Sequence, residues 1–549
     1  MTTNQELVEI FRSIADILDL EGERFKPEAY RRAARSIESL AEDIRRVAER
    51  KELDQIPGVG AAIGEKIQEY LRDGKIAYYE RVQREVPAGA LEIMRLPGVG
   101  PKTARRFLVE FGIEGPQELS AAIDAGRFRD AKGFGARKLE LLKQALGAGQ
   151  PTGRRRPLLE GWTIARTLVE ALRAHAPVDQ IEVAGSLRRR RESVGDLDIL
   201  VTSRDPPAVL DAFGRLPAVR RVTLRGTTKE TVIVESELQV DLRVVDPESF
   251  GAALQYFTGS KDHNVHLRTI ARDRGLKVNE YGVFRGDERV AGRTEEEVYG
   301  ALDLPWIPAE MREDHGEVEL AQSRQIPALV DRSHVPGDLH VHLEKGDGAP
   351  EVDRRLQEAH RLGWAFVGFA FPASDPPTGE LEAHLRVRRA ATAGFAAARF
   401  GFERPWDAPV PSAHADFALV SAEGRTVPPS DTSPRAGLAV VHLALAPAGS
   451  EATPDSTRAW VDWASRHKLG LEVTPRAAAE GLDSAGVRAA REAGVRLLLS
   501  AGTRGPGDPL DALDLAIGLA RRAWLGPSQV LNADPVATTR SPTRRRSTP

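Results

Sequence analysis

The sequence predicts a multidomain α/β protein, with helical helix-hairpin-helix segments first, a mixed α/β region in the middle and a β/α barrel or parallel sheet at the C-terminus. Three observations predict it. A Pro-Gly-Val-Gly motif occurs at 57–60 and again at 97–100, each time followed by an amphipathic stretch; isolated aspartates punctuate short apolar strands in the middle; and apolar strands alternate with helical stretches over the last third. At 549 residues the chain exceeds one ordinary hydrophobic core, so three or more domains are expected.

A net charge of −3 with 29% charged residues describes a globular chain that does not announce nucleic acid, so any DNA-binding surface must come from local clustering. There is no cysteine, which excludes disulfides and thiolate metal sites and leaves His, Asp and Glu to hold any metal. No apolar stretch is long enough to span a bilayer and no signal-like run opens the chain, so no membrane role is expected and the cytoplasm is the expected compartment.

The repeat reads IPGVGAAIGEKIQEYL at 56–71 and LPGVGPKTARRFLVEF at 96–111, with a weaker third copy in KGFGARKLELL at 132–142. Glycines permit a tight hairpin and leave backbone N–H groups facing outward at a helix N-terminus, where a nucleic-acid phosphate binds without regard to base identity. Gly58, Gly60, Gly98 and Gly100 are therefore expected to contact DNA. Such contacts predict an affinity that falls steeply with added salt.

In the middle region, GSLRRRRESVGDLD (185–198) ends on two aspartates and LQVDLRVV (238–245) carries a third. Side chains two apart on a strand point the same way, so Asp196 and Asp198 share one face while Leu197, Ile199 and Val201 share the other. Asp241 joins them if the strands are neighbours. Clustered carboxylates need a cation between them, and hard oxygen ligands suit Mg2+ or Mn2+; two such ions are a device for in-line phosphoryl transfer. Gly185-Ser186 offers N–H groups and a hydroxyl to phosphate, and Arg188 to Arg191 supply positive charge.

With YFTGSKDHNVHLR (256–268) and VNEYGVF (278–284) following in order, the chain resembles the family X DNA polymerases, the group containing polymerase beta, and specifically their bacterial members, over roughly residues 1 to 317. The resemblance implies a lyase-like helix-hairpin-helix domain over 1–84, a helical fingers-like domain over 85–150, a nucleotidyltransferase-type palm over 151–251 and a thumb-like domain over 252–317. It implies that Asp196, Asp198 and Asp241 are catalytic and hold two divalent ions. Gly185, Ser186, Arg189, Gly195 and Arg155 would hold the triphosphate, Tyr256 and Phe257 gate the sugar beside Gly259, and Asn264 faces the base. Arg268 would approach the template, and Lys26, Tyr30 and Lys66 the DNA. Lys66 matches the lysine that forms a Schiff base with an abasic sugar in lyase-competent relatives. Ala62 stands where a neighbouring family lysine is expected, and Gln239 where polymerase beta has an arginine.

After a linker at 318–336, residues 337–535 resemble the PHP (polymerase and histidinol phosphatase) domain, and 536–549 read as a disordered basic tail. The PHP resemblance implies a distorted β/α barrel carrying a His, Asp and Glu cluster for phosphoester hydrolysis. This chain departs from it at Phe371-Pro372, Glu423 and Ala501-Gly502-Thr503. His340, His342, Asp347, Glu403 and His442 remain, enough for one weakly held metal, and a structural or DNA-contacting role is expected for the domain. The implied function is filling of short gaps in base-excision or end-joining repair. Expected partners are gapped or nicked 5′-phosphorylated DNA, deoxynucleoside triphosphates and other repair proteins, at the nucleoid in the cytoplasm. The rival readings are a non-polymerising DNA-end-binding scaffold, which the intact aspartates oppose, and a PHP-domain 3′-5′ exonuclease or phosphoesterase, which the lost ligands oppose.

Overall fold

The computed structural model describes residues 3–23, 25–38, 40, 44–94, 96, 99–128, 131, 133–147, 155–343, 346, 348–404, 415–421, 439–442, 454–476, 482–505 and 507–533. Gly98, Asp347, Glu423 and the tail lie outside them. The chain divides into two units, residues 1–153 with 220–226 and 230–237, and the remainder.

The first unit is helical, with the strands Val219–Arg225 and Lys229–Val234 falling largely within it. Helices Thr3–Glu21 and Lys26–Glu38 bury Leu7, Phe11, Ile14, Ala33 and Ile37 with Ile63 and Ile67 in one core. A second core gathers Phe107, Phe128 and Phe134, whose rings lie 5.1 to 5.5 Å apart, with Ile113 and Leu142. The turns of the repeat share one hydrogen-bonding scheme: Val59 N–H donates to Ile56 O at 2.9 Å, Val99 N–H to Leu96 O at 3.0 Å, and Phe134 N–H to Ala131 O at 3.2 Å. Gly60 and Gly100 then cap helices Ala61–Asp73 and Pro101–Phe111, and Gly135 precedes Ala136–Gly147. Gly58 and Gly133, at matching positions, have φ of +83° and +89°, a left-handed conformation that costs other residues free energy. The weaker third copy is thus built like the other two.

In the second unit, strand Asp196–Thr202 pairs antiparallel with Gln180–Val183 and parallel with Gln239–Val244. Leu197, Ile199 and Val201 are buried as the alternation requires, and so is Leu200, which packs with Phe250, Ala253 and Leu254 beneath the opposite face. Only the N-terminal end of the strand is therefore free to carry carboxylates. Helices Phe250–Thr258 and Lys261–Asp273 lead to the antiparallel strands Lys277–Asn279, Gly282–Arg285 and Glu288–Ala291. The expected linker begins instead as helix Glu317–Gln322: Val318 and Ala321 are fully buried in the core of this segment, so apolar burial fixes what composition reads as a connection.

The C-terminal part contains a seven-stranded parallel sheet in sequential order, from Gly337–His342 to Leu497–Leu499. Its strand Ala397–Arg404 has no continuous apolar run in the sequence; Phe400 and Phe402, both fully buried, alternate there with Arg399, Gly401 and Glu403. Among the described residues no continuous ladder closes the barrel. Val341 of the first strand forms an isolated bridge with Thr503, beyond the last strand, and the buried Asn532 links the two end strands, donating to Gly337 O and Leu499 O at 2.8 Å and accepting from Leu499 N–H at 3.1 Å.

Candidate functional site

Asp198 stands directly beside Asp241 across the parallel pair, and Asp196 beside Gln239. Burial first, then Asp196 and Asp241, pushes the Asp198 carboxyl up to about 7; burial and Asp241 also raise Asp196. Asp241 is drawn toward Lys229, whose Nζ donates to Oδ2 at 2.6 Å, while Gln239 Nε2 donates to Oδ1 at 3.3 Å. The three aspartates do not bring ligand atoms within 4.8 Å of one another as His340, His342 and Glu403 do. The Lys229 ammonium balances part of the carboxylates' charge, and the oxygen-only, desolvated donor set suits a hard divalent cation.

Gly185 adopts φ +64°, and a Cβ there would lie 2.8 Å from Asp198 Oδ2, so glycine is what lets the turn close over the carboxylate. Ala184 N–H donates to Asp198 O at 2.8 Å, tying the turn to the strand. Ser186 Oγ is buried without a hydrogen-bond partner among the described atoms, a donor open to a phosphate oxygen. Arg155 Nε donates to Ser193 Oγ at 2.9 Å, and its Nη1 would lie 3.4 Å from a Cβ on Gly195.

The arginines after Ser186 do not stand open to phosphate. Arg188 makes a bidentate pair with Glu295 at 2.7 and 2.8 Å, and Arg189 Nε donates to Glu313 at 3.0 Å while its Nη1 reaches Thr258 O. Arg191 approaches the other oxygen of Glu313 at 3.4 Å. Burial alone would raise Glu295 and Glu313, but the guanidiniums hold both well below the usual carboxylate range. Guanidiniums that lose water need partners, and two distant carboxylates provide them.

Tyr256 and Phe257 meet edge to face at 5.2 Å, with the Arg243 guanidinium 4.3 Å from the Phe257 ring. The Gly259–Ser260 peptide is cis. Asn264, expected to face a base, donates to Tyr256 O and accepts from Gln255 Nε2, both at 2.7 Å, so its amide braces the aromatic pair. Arg268 is exposed.

In the first unit, Gly60 and Gly100 have open space where a Cβ would be, and neither helix has a side-chain cap. Lys26 is exposed and pairs with Glu23 at 3.2 Å. Lys66 Nζ donates to Ala62 O at 3.1 Å and lies 5.0 Å from the Tyr78 ring centroid. Tyr30, expected at the DNA surface, is buried instead: its ring stacks on Tyr78 and packs edge-on against Phe11, and burial pushes its hydroxyl up to about 12.

In the C-terminal sheet, His340 Nε2 and His342 Nε2 are 2.7 Å apart, with Glu403 Oε2 at 3.9 and 3.7 Å from them. This trio can hold one metal ion. Buried His340 also contacts Glu472 at 2.8 Å through Nδ1; burial works against its charge, yet Glu472 and Glu403 push it up to about 10. His442 lies on its strand beside Ser421. Where further ligands were expected, Ala501 N–H donates to buried Asp338, Gly502 takes φ +65° and Thr503 accepts from His342 N–H at 3.3 Å. Sequence reasoning missed Lys229, Glu295, Glu313 and Glu472. Only Glu472 carried a signal, being an acid inside an apolar strand as Asp241 is.

Three segments of the chain match known families. Residues 2–76 match a helix-hairpin-helix domain, 90–148 a SAM-like helix-hairpin-helix tandem and 253–313 the DNA polymerase beta thumb. The chain is 34% identical over 368 residues to DNA polymerase/3′-5′ exonuclease PolX of Bacillus subtilis, covering 66% of this chain and 64% of that protein. It is 25% identical over 343 residues to DNA polymerase lambda of Rattus norvegicus (56% of each chain), and 24% identical over 341 residues to that of Arabidopsis thaliana (55% and 61%). It thus spans less than two thirds of the length of each.

Proposed function

We propose that this chain, a homologue of the family X DNA polymerases, is a DNA-directed DNA polymerase that fills short gaps in damaged DNA. The observation that carries the reading is the in-register Asp198–Asp241 pair closed over by Gly185, with the unpartnered Ser186 hydroxyl on the same turn. Asp196, Asp198 and Asp241 would hold divalent cations, which would supply positive charge to acidify a primer 3′-hydroxyl and to offset the negative charge of the pyrophosphate leaving group. Lys229, donating to Asp241 Oδ2 at 2.6 Å, orients that carboxylate. Ser186 and the N–H groups of its turn take the triphosphate, and Arg189 turns from Glu313 to join them. Tyr256 and Phe257, braced by Asn264 and Arg243, wall the sugar. The hairpin amides at Gly60 and Gly100 hold the sugar-phosphate backbone on gapped or nicked DNA.

The test is extension across a gapped, 5′-phosphorylated duplex with Mg2+ or Mn2+, comparing wild type with Asp198→Asn. Extension by the wild type and its loss in the variant are expected. Absence of extension by the wild type with either metal overturns the assignment.

A further inference from the structure

The turn that follows Ser186 is held from one side by the C-terminal domain. Glu192 accepts from Ser484 N–H at 2.9 Å, where helix Ser484–Glu492 begins. Helix Leu513–Arg522 passes so close that a Cβ on Gly518 would lie 2.4 Å from Arg190 Cγ. At the end of that helix, Arg522 is 8% exposed, and its Nη1 donates both to Arg189 O at 3.0 Å and to Glu313 Oε1 at 2.8 Å. Glu313 Oε1 is also the oxygen that accepts from Arg189 Nε. One carboxylate oxygen is thus shared between a guanidinium of the polymerase core and one of the C-terminal domain.

We propose that Arg522 is a positioning residue for nucleotide binding: it keeps buried Glu313 compensated when Arg189 leaves for a triphosphate, and it anchors the Arg189 backbone meanwhile. The inference rests on the reading of Arg189 as a triphosphate ligand. The physical ground is that an ionised carboxylate stripped of its partner in a buried site is strongly disfavoured. Without Arg522, the departure of Arg189 leaves Glu313 with Arg191 alone, at 3.4 Å, so Arg189 stays and the nucleotide binds more weakly. The C-terminal domain, short of metal ligands, thereby serves the polymerase through its outer face.

The experiment measures KM for the nucleotide and kcat separately on gapped DNA for the full chain, Arg522→Ala and Arg522→Lys. Arg458→Ala, which breaks an exposed pair with Asp462 in the same domain, is the control. Arg522→Ala is expected to raise KM about tenfold with kcat and DNA affinity within twofold. Arg522→Lys keeps a cation in the pocket and is expected to show an intermediate KM; it serves in place of the alanine variant if that one does not fold. An unchanged KM in a folded Arg522 variant, or equal falls in kcat and DNA affinity, overturns the proposal. If the wild type does not extend DNA at all, the polymerase reading fails instead.

Discussion

Replacing Gly185 by alanine separates the folding role of the turn from its catalytic one. At φ +64° a Cβ costs about 1–2 kcal/mol in conformational strain. The same Cβ would lie 2.8 Å from Asp198 Oδ2, where ordinary contact begins at 3.4 Å, so the carboxylate must move by about half an ångström. A carboxylate end moves cheaply, so the added loss of stability is small. Catalysis is less forgiving, since a 1 Å misplacement costs about a hundredfold; Gly185→Ala should lower the insertion rate about tenfold to a hundredfold. Gly363→Ala is the matched control: φ is +75°, and no atom lies within 4 Å of its Cβ. Single-turnover insertion on gapped DNA at saturating nucleotide, with thermal denaturation alongside, gives both quantities. Both variants should lose similar stability, and only Gly185→Ala should lose rate. A Gly185→Ala rate within twofold of wild type would refute the reasoning.

Gly60→Ser combined with Gly100→Ser puts a good capping hydroxyl on two helix N-termini, which should leave stability unchanged or raised by about 0.5 kcal/mol in total. The hydroxyls would occupy the amides that phosphate needs, so DNA affinity should fall about tenfold on every sequence alike in filter binding; an unchanged affinity argues against those amides as the grip. Glu295→Ala strands the fully buried Arg312, which it holds at 2.6 and 3.1 Å, and should cost about 3–5 kcal/mol by urea denaturation; a cost below about 1 kcal/mol would show that the pair is not what Arg312 depends on. The hydrogen bond to Asp314 raises His266 above the ordinary histidine value. That stabilisation is full below the unfolded value and fades as pH rises through the folded one, so Asp314→Asn should be less stable than wild type at pH 5 and equal to it at pH 9 in thermal melts. A difference that persists at pH 9 would show that charge on His266 is not its source.

The aspartates were legible because strand alternation is local: LQVDLRVV places Asp241 opposite its apolar neighbours whatever surrounds it. The hairpins were legible because a repeated motif needs no tertiary knowledge. What escaped is long-range. Nothing near Arg189 points to Glu313, 124 residues away, so the basic run read as open charge when it is mostly paired. Tyr30 read as a surface residue beside Lys26, but its position on the helix faces Phe11 and Tyr78. Strand Ala397–Arg404 escaped because its glycine and charged residues interrupt the apolar run that marks the other strands of a parallel sheet.

Asn532 joins the first and last strands of the C-terminal sheet where the backbone ladder does not. Gly337 and Asn532 are 195 positions apart in sequence yet hydrogen-bonded, so topologically this segment is a ring broken at one point. Its connectivity is then separable from its fold. Joining 337 to 533 by a short linker and opening the chain at Gly363 would give a circular permutant with the same strand neighbours, and the amide of Asn532 would change from a clasp between distant residues into a local contact.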